Sequence, residues 1–503
     1  MKIKATKKIK KISIIIAVVA VVVAIATTSI IVFSNTNPLK KASKNLTQYN
    51  IEATLNSQES LYATQTIDYI NNTGESLDNI CLHLYARAFR QDAQIKPYTT
   101  LNKASCYPNG ESFGDIAISK VNINGNSANF EFSGSDFDIL KINLSNSLQN
   151  KERINIYLEY TITIPNCTHR LGYYNNTINL GNWYPIVCYY NQGWDTNPYY
   201  STGDPFVSEC ANYKVKITHP QNYLCFATGE ILQQDQTTSL FTAQAVRDFA
   251  MVLASDSNSS TLQSNKTNVT YVGYSQDADI QHNAQLCKDA VEYFSDTFAM
   301  YPYKNLTVVK SAFVHGGMEY PNLVIVSDAI TEPEEFAKVI VHEIAHQWWY
   351  GLVGNNQITE AWLDESLAEY STCLFFEDNS QYGINYAEQI KDATASYLIY
   401  VDVISSLNGK VNTSMNSAVN SYTSEYEYTY MIYVKGVIMF DSLREAIGKD
   451  KLIKSLQKYC KQYMFKIATS SDLIQMFKKY GHSDLDNFFA GWLNGDNVIG
   501  QIS

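Results

Sequence analysis

His342 and His346 stand four residues apart, with Glu343 directly after His342. In a helix this spacing stacks the two imidazoles one turn apart on one face, so both can point a ring nitrogen at one ion. Glu343 can reach the same place without being a ligand, positioned to take a proton from water on that ion. Nineteen positions beyond His346 comes Glu365, within Ala361-Trp362-Leu363-Asp364-Glu365-Ser366-Leu367-Ala368-Glu369-Tyr370. A turn over residues 351–357 would let two helices lie side by side, with Glu365 completing a His2Glu set. Such a set leaves a fourth position for water, as in a catalytic zinc site, and one Zn2+ per chain is expected. Two histidines in a helix can also be plain core residues. The second carboxylate-bearing helix separates the two readings.

The elements that must hold these groups show in the periodicity. Thr331 and Glu334 are spaced as a capping box, Pro333 suits the first turn, and Phe336, Val339, Ile340 and Ile344 recur on one side. This helix is expected to be buried and to end near Gly351 or Gly354. Ahead of it, strands are expected over 306–309 and 323–326. Between them lies Phe313-Val314-His315-Gly316-Gly317-Met318-Glu319-Tyr320-Pro321. Helices are expected over 279–299, 384–406, 428–447, 449–464, 470–480 and 485–493, with a polar connection over 410–424.

Upstream, the period changes to two. Short alternating runs fall at 49–55, 61–70, 80–85, 116–123, 128–132, 152–164, 213–217, 224–227 and 238–243, with 248–254 and 267–274 as closing strands. The pattern points to an antiparallel, sandwich-like β domain over 45–277, followed by a mostly helical α+β domain over 278–503. The stretch 183–209 is dense in aromatics, with Trp183, Tyr184, Trp194, Tyr199, Tyr200 and Phe206 around Asp204. It either seals a sheet edge or forms part of a pocket wall.

The amino end is different in kind. Six lysines fall within residues 1–11, and residues 12–33 carry no charge. As a helix those 22 residues would span about 33 Å, enough for a bilayer core. The expectation is a transmembrane helix over 12–33 with the basic tail in the cytoplasm, a stalk over 34–44, and the remainder outside. A cleaved signal peptide, giving a secreted protein, is the alternative.

The chain has 503 residues and a formal net charge of -11, and the lysine-rich tail leaves 32 basic against 49 acidic residues elsewhere. No basic tract suits nucleic acid, and the acidity disfavours polyanionic substrates. Nine cysteines are scattered without a CxxC pair, so no cysteine-based second metal site is expected.

These motifs together resemble the M1 family of zinc aminopeptidases, a gluzincin group with a thermolysin-like catalytic domain. The matching pieces are His342-Glu343-Ile344-Ala345-His346, the eighteen-residue gap to Glu365, Gly316-Gly317-Met318-Glu319-Tyr320, and Tyr433-Val434-Lys435-Gly436. The resemblance runs over about residues 280–450 and is softer before that. It implies His342, His346 and Glu365 as zinc ligands, Glu343 as general base and Tyr433 as the group that stabilises the oxyanion. It implies Glu319 as the carboxylate that binds the free amino group, with Gly316, Gly317 and Met318 aligning the substrate as an added strand. Peptides with a free N-terminus are the implied partners. Glu369, four residues past Glu365, and Asp364 are candidates for orienting the ligands. The chain departs from the family pattern at Gly317, where alanine is common, and at Ser366, where glycine is common. Tyr320 replaces the usual asparagine and is expected to reshape the first side-chain pocket. The large C-terminal helical domain of longer members is missing, which implies a more open cleft. A related zinc endopeptidase or amide hydrolase is the runner-up, and a catalytically silent peptide-binding protein is the reading from another class.

Overall fold

Ser60–Ile70 and Arg153–Thr163 pair along their whole length and alternate buried and outward side chains, the mark of strands with one face on a core. In the computed structural model, which describes residues 38–481 and 484–495, they lie centrally in an eight-stranded sheet. Two four-stranded sheets complete the N-terminal half of the unit Leu46–Ser503. The expected antiparallel sandwich is therefore three sheets. The pairing is also mixed, since Gln48–Ser57 runs parallel to Ala211–Thr218. All nine cysteines are buried and unpaired.

A run of four leucine, valine and isoleucine residues marks the next sheet as covered on both faces: Leu323–Ser327 is buried at every position. Its strand order is Asn258–Ser264, Thr267–Gly273, Asn305–Ser311, Leu323–Ser327 and Gly317–Met318. The strand expected to close the N-terminal domain at 267–274 instead pairs in parallel with Asn305–Ser311. Hydrogen bonding thus carries this five-stranded sheet back past the boundary expected at residue 277, because the β-rich character of 258–273 does not say which sheet it joins. Gly317–Met318 is an edge strand, paired on one side only.

Helices Ile280–Thr297, Pro333–Ala345, Glu365–Asp378 and Lys435–Ile447 then pack one on another beside this sheet. The helix carrying the two histidines differs from expectation at both ends. Its N-cap is Glu332, with no side-chain cap, so Thr331 and Glu334 form no capping box, while Pro333 takes the first position. It stops at Ala345, well short of Gly351. Beyond it the main-chain bonds widen to fifth-neighbour spacing: Gly351 N–H to His346 O at 2.9 Å, Leu352 N–H to Gln347 O at 3.0 Å and Val353 N–H to Trp348 O at 3.0 Å. Tyr350 is left with φ of 105°, and its carbonyl accepts from Arg247 Nε at 2.7 Å. Buried Arg247 also donates to the carbonyls of Ser208 and Lys466, joining three distant stretches of chain.

The stretch expected over 428–447 is not one regular helix. Glu425–Thr429 is α-helical, Tyr430–Val434 is a π-helical turn, and Lys435–Ile447 is α-helical again. The first unit, Met1–Asn45, contributes a short helix at Pro38–Ala42, inside the expected stalk. The basic tail and the expected membrane span over 12–33 lie outside the described residues. Among the described residues no helix is long and apolar enough to cross a membrane.

Candidate active site

His342 and His346 leave one face of their helix as the spacing requires, and the Glu365 helix packs against that face. The three side chains meet. His342 Nε2 and His346 Nε2 are 3.0 Å apart, and Glu365 Oε2 lies 3.3 and 3.1 Å from them. Tetrahedral ligands at zinc–nitrogen and zinc–oxygen lengths stand about 3.3 Å from each other. All three residues are buried.

The outer nitrogens decide what the inner ones can do. His346 Nδ1 lies 3.0 Å from the Trp349 carbonyl, which only accepts, so the ring hydrogen sits on that nitrogen. His342 Nδ1 makes no hydrogen bond but lies 2.7 Å from Glu369 Oε2, whose charge favours the hydrogen on that nitrogen. Two lone pairs and a carboxylate oxygen are then aimed at one point, a donor set that calls for a cation. Burial alone would depress the histidine pKa values. The Glu365 carboxylate overrides it, pushing His346 up to about 10 and His342 upward as well. The same pairing holds Glu365 well below the usual carboxylate range against the effect of its burial. These residues fit a zinc ion.

The helix end and the turn after it are pinned by aromatic rings. Trp348 Nε1 donates to Ala299 O at 2.7 Å, and Trp349 Nε1 donates to Ser371 Oγ at 2.9 Å on the Glu365 helix. The widened turn is also what brings the Trp349 carbonyl under His346.

Glu343 lines the same cleft, of about 600 Å³. Burial pushes its pKa up to about 8, with Glu319 and Glu365 adding and the two histidines opposing. Its Oε2 has no partner among the described residues. Its carboxylate packs directly on Gly317, where a Cβ would overlap it. Gly316 and Gly317 border the cleft, and Glu319 reaches it while only 3% exposed. Tyr433 projects from the π-helical turn, its ring stacked over His342 at 5.9 Å. Burial raises its pKa, as does the nearby Glu365 charge, so the phenol keeps its hydrogen. Ser366, on the neighbouring helix, donates to the Ile432 carbonyl of that turn at 2.6 Å.

Three residues named from the sequence lie off the cleft. Met318 is buried, its sulfur 3.2 Å from Arg170 Nε. Tyr320, expected to reshape the first side-chain pocket, does not border the cleft. It is fully buried and its hydroxyl donates to Asn182 Oδ1 at 2.8 Å, in a space left by Gly181. Just past the edge strand, Tyr320 turns into the core while Glu319 faces the opening. Asp364 is buried, accepting from Asn355 Nδ2 at 3.0 Å and Gln357 Nε2 at 2.8 Å.

Apart from Asp204, the other groups at the site escaped sequence reasoning. Arg170 and Asp204 form a buried ion pair at the cleft wall, and Arg170 also donates to Tyr199 Oη at 2.7 Å. Tyr428 lines the same wall. Part of the aromatic stretch 183–209 thus reaches the cleft, through Ser201, Gly203 and Asp204. Trp183 and Tyr184 are core residues. Gln357 Nε2 donates to Glu319 Oε1 at 2.9 Å. Only the aromatic density around Asp204 was a signal. Arg170, Tyr428 and Gln357 carry none in the linear sequence. A larger hollow of about 750 Å³, lined largely by asparagines and serines between Asn126 and Ile154, holds no such constellation.

Residues 282–492 match the peptidase family M1 domain. Over 313 residues the chain is 24% identical to glutamyl aminopeptidase of Sus scrofa, covering 56% of this chain and 32% of that one. It is 28% identical over 206 residues to aminopeptidase B of Mus musculus, covering 38% and 30% respectively. The chain thus spans about a third of the length of these curated relatives. In fold it is similar to an M1 zinc metallopeptidase from Deinococcus radiodurans, at a TM-score of 0.62 and 16% identity, over 90% of this chain and 94% of that one. A substrate-bound mutant of an M1 zinc metallopeptidase from the same organism gives 0.63 at 15% identity, over 90% and 95%.

Proposed function

We propose that the chain, whose residues 282–492 match the peptidase family M1 domain, is a zinc-dependent aminopeptidase, releasing the first residue of peptides with a free amino end. One observation carries the reading: the three-ligand set, the unpartnered Glu343 carboxylate and the Glu319 carboxylate share one cleft.

His342, His346 and Glu365 would hold the metal. When bound, zinc supplies Lewis acidity toward the scissile carbonyl and toward water. The peptide would lie along the open edge of Gly317–Met318 as an added strand, its main chain brought close by the two glycines. Glu319 would pair with the terminal ammonium, which an internal peptide bond lacks, and this sets the register at one residue from the end. Glu343 would accept a proton from the attacking water and pass it to the leaving nitrogen. A pKa near neutrality suits both transfers, and a divalent cation nearby moves it downward from about 8. Tyr433, protonated, would donate to the oxygen on which charge develops.

The test compares a short peptide with its N-acetylated form, with and without a chelator. Cleavage of the free peptide alone, lost on chelation and restored by zinc, is expected. Equal cleavage of both forms would reject exopeptidase action, and chelator-insensitive cleavage would reject the metal.

A further inference from the structure

Glu319 is held by two glutamines. Gln347 Nε2 donates to the Tyr320 carbonyl at 3.2 Å and its Oε1 accepts the Asn322 N–H at 2.9 Å, which fixes the main chain just after Glu319. The side chain is held by Gln357, whose Nε2 donates to Glu319 Oε1 at 2.9 Å and to Asp364 Oδ2 at 2.8 Å. Asp364 is in turn held through its other oxygen by Asn355 Nδ2 at 3.0 Å. Gln357 is anchored independently by its main-chain N–H, 3.2 Å from the Phe206 carbonyl. Glu319, Gln357 and Asp364 are 3%, 1% and 0% exposed.

Two carboxylates buried this close repel each other. An amide nitrogen with two hydrogens can give one to each. Without it Glu319 would swing away from Asp364, and from the position that receives an ammonium. Gln357 itself does not border the cleft. We propose that Gln357 is the positioning residue of amino-group recognition: it holds the Glu319 carboxylate toward the peptide's free amino end and ties it to Asp364, the residue next to the third metal ligand. This rests on the aminopeptidase reading.

A residue that acts through the ammonium contact should move KM and leave the chemistry at the metal alone. The experiment measures kcat and KM of the zinc-loaded full chain on a free tetrapeptide and on its N-acetylated form. Gln357→Met, similar in size but without hydrogen bonds, should raise KM for the free peptide about ten- to hundred-fold. Its kcat should stay within about twofold, its zinc content unchanged, and any residual cleavage of the blocked peptide unaltered. Gln357→Glu, which keeps size and polarity but replaces the donor by an acceptor, should give the same KM rise and serves if the methionine variant does not fold. An unchanged KM in a folded variant, or a fall in kcat at constant KM, would overturn the proposal. If the unmodified enzyme fails to distinguish free from blocked peptide, the fault lies with the aminopeptidase reading instead.

Discussion

At the scale of single residues the site is crowded with negative charge, and two consequences are measurable. Gly317 leaves room for Glu343 and for nothing larger, since a methyl there overlaps the carboxylate. Gly317→Ala should therefore displace the base and lower kcat/KM by about a hundred-fold, a cost in keeping with ångström-scale misplacement. Steady-state kinetics on a free peptide check this, and an unimpaired variant would show that Glu343 does not act from where it stands. The second consequence concerns protons. With His346 pushed up to about 10 by Glu365, the metal-free site holds protons at pH 7 that a divalent ion must displace. Zinc binding should release protons and weaken as pH falls through neutrality. Calorimetric titration of chelator-stripped protein in two buffers of different ionisation enthalpy reads this directly, and a buffer-independent heat would contradict it. The approach of His342 and His346 was legible in the sequence because helical spacing stacks them, and Glu365 because it stands on a second helix a short turn away. The orientation of Tyr320 was not, since a two-residue edge strand and the space left by Gly181 decide it.

At the scale of elements, irregular turns place two functional groups that a regular helix would misdirect. The fifth-neighbour bonds after His346 bring the Trp349 carbonyl to its imidazole, and the π-helical turn aims Tyr433 over His342. Sequence periodicity reads both as plain helix, because one added residue per turn leaves the apolar pattern nearly intact. Ser366 links the Glu365 helix to the second of these turns, and it packs so closely on Gly436 that no side chain fits there. Ser366→Ala removes the hydrogen bond to Ile432 O. It should cost about 1 kcal/mol of stability and lower kcat about three- to thirtyfold with little change in KM, as Tyr433 loses its fixed bearing. Denaturant titration beside kinetics separates the two effects. An unchanged kcat in a destabilised protein would show that the serine only packs.

At the scale of the whole molecule, loops of the N-terminal half form part of the cleft wall. Arg170 and Asp204 wall the cleft from that side, and Arg247 binds the carbonyls of Ser208, Tyr350 and Lys466. Such partners lie tens to hundreds of positions apart, so no window of sequence reveals them, whereas the change from period two to helical spacing near 279 was plain. The sheet ignores that change. Two of its five strands, Asn258–Ser264 and Thr267–Gly273, come from before it. A gene truncated to begin at codon 278 would leave Asn305–Ser311 as a bare rim, its main-chain groups offered to whatever strand comes next. That fragment should be recovered as aggregates, and one begun ahead of codon 258 should at least keep its sheet whole. Solubility and protease resistance of the two products would tell them apart, and a soluble, protease-resistant short product would show that the borrowed strands are dispensable.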